Sequence, residues 1–407
     1  MSSTQRRIKR TGLFAALVIS GLVLSGSWTH VFAAEQPLTL QEIVNTAVKN
    51  NPAVTETEKR WEEKISLIPS VTAQPNPTVG IMQDDIPTTS LNPRQGMMTE
   101  FSLSQEIMNP SKLKAMGKMA ENEAYMTKAD WSDKQVDIYA QTKQAYYDYL
   151  YAKQALVIGK EAQQLMGQLV NLAQVNYSTG MVPFQDTLKT QTEFSAMTSD
   201  LLNMASMEAV AKARINNLMG RAADTAYEVK EEFMAPPPNF DLAGLVKTAI
   251  SEKPSIAGMQ YGLAMAENGV TLAKKQQLPD YEIRLGYKKN REPMVEQNPM
   301  YPGMSSDQVM FESRKPTWKI EVMAMLPIWQ GKNKAEIKSA QAGLEASQAA
   351  LQNMKNMAEL DVQMALTEAQ ATWRQIELYR TTIIPQAEQT YQAAVVNYTN
   401  GKVDLMN

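Results

Sequence analysis

Met294, Met300, Met304 and Met310 crowd one Pro- and Gly-rich stretch, 288–316. Thioethers are soft donors that suit Cu(I) or Ag(I), so this stretch is a candidate for metal contact, although its spacing defines no ligand set. The competing reading is packing. Methionine is a flexible filler of apolar gaps, and that reading covers most of the 27 methionines, which fall in helical stretches. Little else in the chain offers chemistry. There is no cysteine, and the sole histidine is His30, inside the first 33 residues. Beyond that point disulfides, thiolate or imidazole zinc sites, and Ser–His or Cys–His catalysis all drop out. Asp84–Asp85 and Glu231–Glu232 are acidic pairs in loops and read as solvated charge. We expect no enzyme, no cofactor and no resident metal.

The second motif is a turn that occurs twice. NYSTGMV (176–182) and NYTNGKV (397–403) share Asn-Tyr-hydroxyl-x-Gly-x-Val. Gly180 and Gly401 stand where a reversing helix needs a positive φ, which glycine adopts without steric cost. Tyr177, Met181, Val182, Lys402 and Val403 flank those glycines. Asp186 opens the helix after the first turn, where an acid is favoured by about 0.3–1 kcal/mol. Tyr398 precedes the second turn.

These turns sit in a chain built twice. LTLQEIVNTAVKNNP (38–52) matches FDLAGLVKTAISEKP (240–254), each with a capping residue, Thr39 or Asp241, an apolar stripe, and a closing proline. FSLSQEIMNPSK (101–112) lines up with VMAMLPIWQGKNK (322–334). The offset is 202 residues at the first landmark and 221 at the tip turns, so the second copy carries an insertion, which lies in 288–316. Each copy reads helix, hairpin, long helix, turn, helix. We place the first repeat at 34–234, with strands near 78–82 and 97–105. A linker, APPPN, follows at 235–239. The second repeat takes 240–407, with strands near 281–288 and 316–326.

In YEIRLGY, Tyr281, Ile283, Leu285 and Tyr287 alternate with Glu282 and Arg284. Trp318, Ile320 and Val322 alternate with Lys319 and Glu321, and Phe101 and Leu103 share a face. Such strands suit either a small soluble sheet packed on helices or an outer-membrane barrel with an apolar outer face and a polar lumen. Four strands cannot close a barrel, and an open edge in lipid leaves backbone groups unsatisfied, so the membrane reading requires several chains. No proline interrupts 111–182 or 328–384. Helices of that length are rods of roughly 100 Å, too long for a compact globule. Ala124, Trp131, Ile138, Ala145 and Ala152 recur at seven-residue steps, as do Ile337, Leu344, Leu351, Ala358 and Ala365. A strict heptad seam fits helices packed side by side.

Residues 1–33 read as a signal peptide: Arg6, Arg7, Lys9 and Arg10, then a short apolar stretch, then Val31-Phe32-Ala33 before a cut. An uncleaved anchor is the alternative. Removing those four bases leaves 36 basic against 43 acidic side chains, a balance that argues against nucleic-acid binding.

Taken together, the opening helix, the QPNPTVGI and FSLSQEI segments around the first hairpin, the duplication and the two YxxG turns resemble the TolC-like outer-membrane efflux proteins, with QPNPTVGI…SLSQEI looking like their heavy-metal branch. The resemblance spans nearly the whole mature chain. It implies a mainly α fold with a β membrane part: a homotrimer whose twelve-stranded barrel in the outer-membrane lipid continues into a twelve-helix periplasmic tunnel. It also implies two partners, a periplasmic adaptor and an inner-membrane pump of the resistance-nodulation-division or ABC type. The residues beside Gly180 and Gly401 would dock the adaptor. Tyr398 and Asp186 match the positions that narrow the periplasmic mouth, although Val403 replaces the usual basic residue there and Lys402 stands one place earlier. Asp186 as a plain helix-start acid remains the other reading. The family would continue past the second turn with a helix aligning with 187–220, so a further C-terminal stretch is expected. Drugs, metals and proteins exported by a type I secretion system all remain open as cargo. A non-channel coiled-coil surface protein is the reading from a different class.

Overall fold

The computed structural model describes residues 37–84, 86, 98–230, 241–290 and 316–399. The expected signal peptide, Asp85, the Glu231–Glu232 pair, the APPPN linker, the four loop methionines and Gly401, Lys402 and Val403 lie outside the described residues.

α1 (Leu40–Asn50) starts at Thr39, whose hydroxyl accepts from the Glu42 N–H while the Glu42 carboxylate accepts from the Thr39 N–H, a complete capping box. Asn51 closes α1 and caps α2 (Pro52–Thr72), with Pro52 at the first position, where its missing N–H costs nothing. β1 (Thr78–Asp84) and β2 (Met98–Ile107) form the first hairpin. α3 (Pro110–Ser178) then runs unbroken for 69 residues, a rod of about 100 Å. α4 (Phe184–Leu218) returns along it.

The second copy repeats the order. α5 (Leu242–Glu252) is capped by Asp241, whose carboxylate accepts from the Gly244 N–H. α6 (Pro254–Lys275), β3 (Asp280–Asn290) and β4 (Thr317–Met325) follow. α7 (Gln330–Leu378) and α8 (Ile384–Thr399) are one rod joined by a π-helical turn, Tyr379–Ile383. The turn has an assignable cause. Pro385 has no N–H and its ring crowds the carbonyl four residues back, so the ladder widens and the Ile384 N–H reaches Tyr379 O.

The four strands make one antiparallel sheet in the order β1-β2-β3-β4. Of the expected seams, the first is buried throughout or nearly so: Ala124, Ile138, Ala145 and Ala152 are buried and Trp131 is half-buried. The second drifts: Ala358 is buried, but Ala365 is exposed and Leu366 takes its place inside. An α-helix with 3.6 residues per turn leaves a seven-residue repeat by about 20° per heptad unless a supercoil corrects it.

The main core sits midway along α3, where Ala145, Tyr146 and Leu150 meet Ile43 and Ala47 of α1 and Ile215 and Met219 at the end of α4. Leu38 pairs with the segment after α4 through N–H to Glu228 O at 2.8 Å and from the Lys230 N–H at 2.9 Å. Burial pushes the Tyr227 phenol well above its ordinary range, and its hydroxyl donates to Lys212 O at 3.0 Å.

Candidate functional site

The sheet wears its faces the reverse way from a soluble one. Register places Ile81, Phe101, Tyr287 and Trp318 in one cross-strand row, and Val79, Leu103, Leu285 and Ile320 in the next. This apolar face is open: Val79 is 75% exposed, Ile320 73% and Trp318 68%. The other face carries the charges. Glu100 is 7% exposed, with Lys288 Nζ 3.5 Å from its carboxylate. Its Oε1 lies over Gly286, where a Cβ would stand only 2.8 Å away. Arg284 reaches Glu282 at 3.1 Å and Glu321 at 3.7 Å, and Lys319 also pairs with Glu321. A soluble sheet would bury its apolar rows at about 25 cal/mol per Å². Exposing them while gathering the ions on the other face suits an apolar solvent outside and water inside.

The sheet joins the rods through one buried ion pair. Asp280, the first residue of β3, accepts from the Asn109 N–H at 2.8 Å and from Lys112 Nζ at 2.5 Å. Lys112 is 4% and Asp280 17% exposed at the side chain. The second hairpin thus holds the corner where β2 turns into α3. This clamp was not legible in the sequence, because its partners lie 168 residues apart.

At the far end of the rods stands the first repeated turn. α3 ends in a Schellman cap: Gly180 has φ +73°, its N–H donates to Tyr177 O at 3.0 Å, and the Met181 N–H donates to Asn176 O at 2.8 Å. The Tyr177 and Phe184 rings close over the turn with centroids 5.1 Å apart. Tyr177, Met181 and Phe184 are exposed and Val182 is half-buried, so the tip presents an apolar surface. Asp186 is buried in the first turn of α4. Beside it Thr187 Oγ1 donates to Ala173 O at 3.5 Å, and Thr190 Oγ1 donates to Asp186 O at 3.0 Å.

Tyr398, at the end of α8, is also buried, and its carbonyl accepts from Asn176 Nδ2 at 3.4 Å. The fold therefore brings the ends of α3 and α8 together, so that Tyr177, Gly180, Met181, Val182, Asp186 and Tyr398 share one end of the molecule. Among the described residues no group of three or more Asp, Glu, His or Cys side chains is placed to hold a metal, and no helix is long and apolar enough to cross a membrane.

With an apolar sheet face open to solvent and long rods whose described turn at Gly180 stands at the far end, comparison with known proteins places the chain. The family model for outer membrane efflux proteins matches residues 43–221 and 245–407. The chain belongs to that family. This efflux protein resides in the outer membrane and extends into the periplasm. It is 20% identical over 385 residues to the cobalt-zinc-cadmium resistance protein CzcC of Cupriavidus metallidurans, covering 94% of this chain and 85% of CzcC. Its fold is shared with the outer-membrane channel OprN (TM-score 0.70, 15% identity, 90% of this chain and 82% of OprN). It is likewise shared with the Campylobacter jejuni outer-membrane channel CmeC (TM-score 0.69, 15% identity, 90% and 78%). CusC, known for transmembrane channel formation, gives a TM-score of 0.63 at 15% identity, covering 90% and 83%.

Proposed function

We propose that this efflux protein is the passive outer-membrane conduit of a tripartite system, and that its cargo is heavy-metal cations. The observation that carries the conduit is the inverted sheet: four strands, apolar outside, charged inside, with β1 and β4 each lacking a further partner among the described residues. Unpaired strand edges are untenable in hydrocarbon, so neighbouring copies supply the missing ladders. Three chains with four strands each make a twelve-stranded barrel, a size that leaves a lumen, and their long helices form the twelve-helix periplasmic tunnel.

The lumen needs no catalytic group. A pump in the inner membrane supplies the energy, and a periplasmic adaptor links pump and tunnel. The adaptor meets the apolar tip around Tyr177, Gly180, Met181 and Val182, together with Gly401, Lys402 and Val403. Asp186 and Tyr398 narrow the mouth beside it. Three copies of two turns make a ring of six weak contacts, which gains by multivalency. Metal cargo is favoured by the similarity to CzcC, a protein named for cobalt, zinc and cadmium resistance, over nearly the whole chain.

The test is conductance. Purified full-length protein is expected to run in detergent at three times the mass of its 45.4 kDa chain, less the signal peptide, and to open discrete conductances in planar bilayers. A monomer, or a protein that inserts without conducting, overturns the reading. Cells lacking the gene are expected to lose tolerance to cobalt, zinc or cadmium; unchanged tolerance would overturn the cargo alone.

A further inference from the structure

On the charged face of the sheet one cross-strand row is nearly bare. Gly80, Ser102 and Gly286 stand side by side in β1, β2 and β3, with Lys319 beyond them in β4. Gly180 and Gly220 are the positive-φ glycines among the described residues, so the backbone does not call for glycine at 80 or 286. A glycine inside a strand weakens it and marks a place where something approaches closely. Here the approaching groups are side chains of the same face. Ser102 Oγ stands 2.7 Å from where a Cβ at 80 would be, and Glu100 Oε1 stands 2.8 Å from where one at 286 would be.

Glu100 belongs to the next row, Met82, Glu100, Lys288 and Thr317. That row lies toward the end of the sheet away from the rods, because β2 runs from Met98 to Ile107 and on into α3. The Glu100 carboxylate lies down over Gly286 instead of standing off the wall, and its side chain is 8% exposed. Lys288, directly opposite it, brings Nζ to 3.5 Å. Lys319, which borders the same gap, is paired with Glu321. A carboxylate taken out of water needs an answering charge, and Lys288 supplies it. The wall thus holds two fixed charges of opposite sign, one pressed flat and one more open.

We infer that Glu100 and Lys288 set the ion preference at the outer end of the lumen, and that Gly286 is the positioning residue that keeps the carboxylate flat and the passage wide. This rests on the conduit reading above. A unit charge about 7 Å from an ion in water changes that ion's local concentration about threefold. Dissolved salt screens the effect, over about 10 Å at 0.1 M and about 3 Å at 1 M. Neutralising either partner therefore tips the balance, in opposite directions and most at low salt.

The test is the reversal potential in planar bilayers under a potassium chloride gradient. Glu100→Gln is expected to lower the potassium-to-chloride permeability ratio about threefold, and Lys288→Gln to raise it by about the same factor. Both shifts are expected to shrink in 1 M salt. The double variant is expected to return near the parent. Gly286→Ala is expected to lift the carboxylate into the lumen, raising the ratio and lowering the single-channel conductance.

A second measurement needs no current. The chain has no cysteine, so Thr317→Cys places one thiol in the Glu100 row. Its rates with a cationic and an anionic methanethiosulfonate, in detergent at low salt, report the local potential. Adding Glu100→Gln is expected to lower the cationic-to-anionic rate ratio about threefold, and adding Lys288→Gln to raise it. Parent-like ratios in both neutralised variants, or shifts in the same direction, overturn the inference. If the parent protein never conducts, the conduit reading fails, and the thiol rates alone decide whether Glu100 and Lys288 set the potential at this row. If the parent conducts and neither variant moves its reversal potential, the conduit stands and Glu100–Lys288 is a structural pair only.

Discussion

The long helix of the first copy, α3, is packed by α1, α2, α4 and α6, whereas among the described residues α7 of the second copy packs mainly on α5 and α6. On α3 the heptad positions are sealed: Ala124, Ala145 and Ala152 are buried, and so are Tyr146 and Leu150. Along α7 the buried residues among those described are Asn333, Ala358 and Leu366. Met357, Leu360, Met364 and Ile376 stand out in the open. The short helices repeat the contrast, since α1 buries Ile43, Val44 and Ala47, while α5 buries nothing. A heptad pattern therefore says that a helix has a partner, and says nothing of which chain, or which part of one, supplies it. On the proposed architecture the open faces of α5, α7 and α8 belong to contacts that a single protomer does not make.

The widest test of that contrast compares one substitution on each rod. Tyr146 is fully buried and its hydroxyl donates to Lys230 O at 2.6 Å. Tyr146→Ala is expected to cost about 3–5 kcal/mol and to lower the unfolding midpoint of the dilute protomer. Leu360 is 56% exposed in the protomer. Leu360→Ala is expected to leave that midpoint within about 0.5 kcal/mol of the parent. If the proposed trimer forms, its effect is expected instead in light scattering, as an assembly that dissociates at higher protein concentration than the parent. Equal losses of protomer stability from the two substitutions would mean that α7 is covered by its own chain.

A second comparison sets the ion pair at the sheet–rod corner against one on the rod surface. Lys112–Asp280 is buried and also holds the Asn109 N–H. Arg214–Asp148 links α4 to α3 at 3.3 Å with both side chains about half exposed. Asp280→Ala strands the Lys112 ammonium and is expected to cost about 3 kcal/mol. Asp148→Ala is expected to cost less than about 1 kcal/mol. Denaturant midpoints with unchanged slopes would measure both. If the two losses match, the corner is wetter than its burial implies.

Much of this architecture is legible in the residues, for local reasons. Thr39 and Asp241 announce helix starts because their side chains accept from N–H groups three residues on. Tyr281, Ile283 and Leu285 reveal their common face because a strand alternates with period two. The proline-free stretch that begins at 111 becomes a single helix as far as Ser178, because nothing in it breaks the ladder before the Gly180 cap. The features that escape sequence reading are the ones that join distant segments. Asn176 looks like any turn asparagine until α8 brings Tyr398 to it, and Lys112 looks like an ordinary first-turn lysine until β3 delivers Asp280. The π turn could have been anticipated from Pro385, whose missing N–H falls inside an otherwise continuous helical pattern. The open faces of α5 and α7 are equally unreadable, because apolar periodicity looks the same whether the partner is the same chain or another.

The two glycine caps allow the finest comparison. Gly180 and Gly220 have nearly equal positive φ, +73° and +69°. Alanine at either site must adopt a left-handed backbone, at roughly 1–2 kcal/mol. Their surroundings differ. A Cβ at 180 meets nothing within 4 Å, whereas a Cβ at 220 lies 2.8 Å from Asn50 O, a backbone atom that cannot swing away. Gly220→Ala therefore adds a clash to the strain, pushing apart the ends of α1 and α4 where Asn51 Nδ2 donates to Leu218 O at 2.9 Å. Gly180→Ala is expected to lower protomer stability by only about 1 kcal/mol and to leave trimers intact. On the proposed architecture its larger consequence is expected in crosslinking to the adaptor, because a shifted turn would move Tyr177 and Met181 in every copy of the proposed ring. Gly220→Ala is expected to do the reverse, lowering the unfolding midpoint further while the protein that still folds crosslinks normally. If Gly180→Ala weakens folding as much as Gly220→Ala and leaves crosslinking at the parent level, the tip turn is a helix reversal with no docking role.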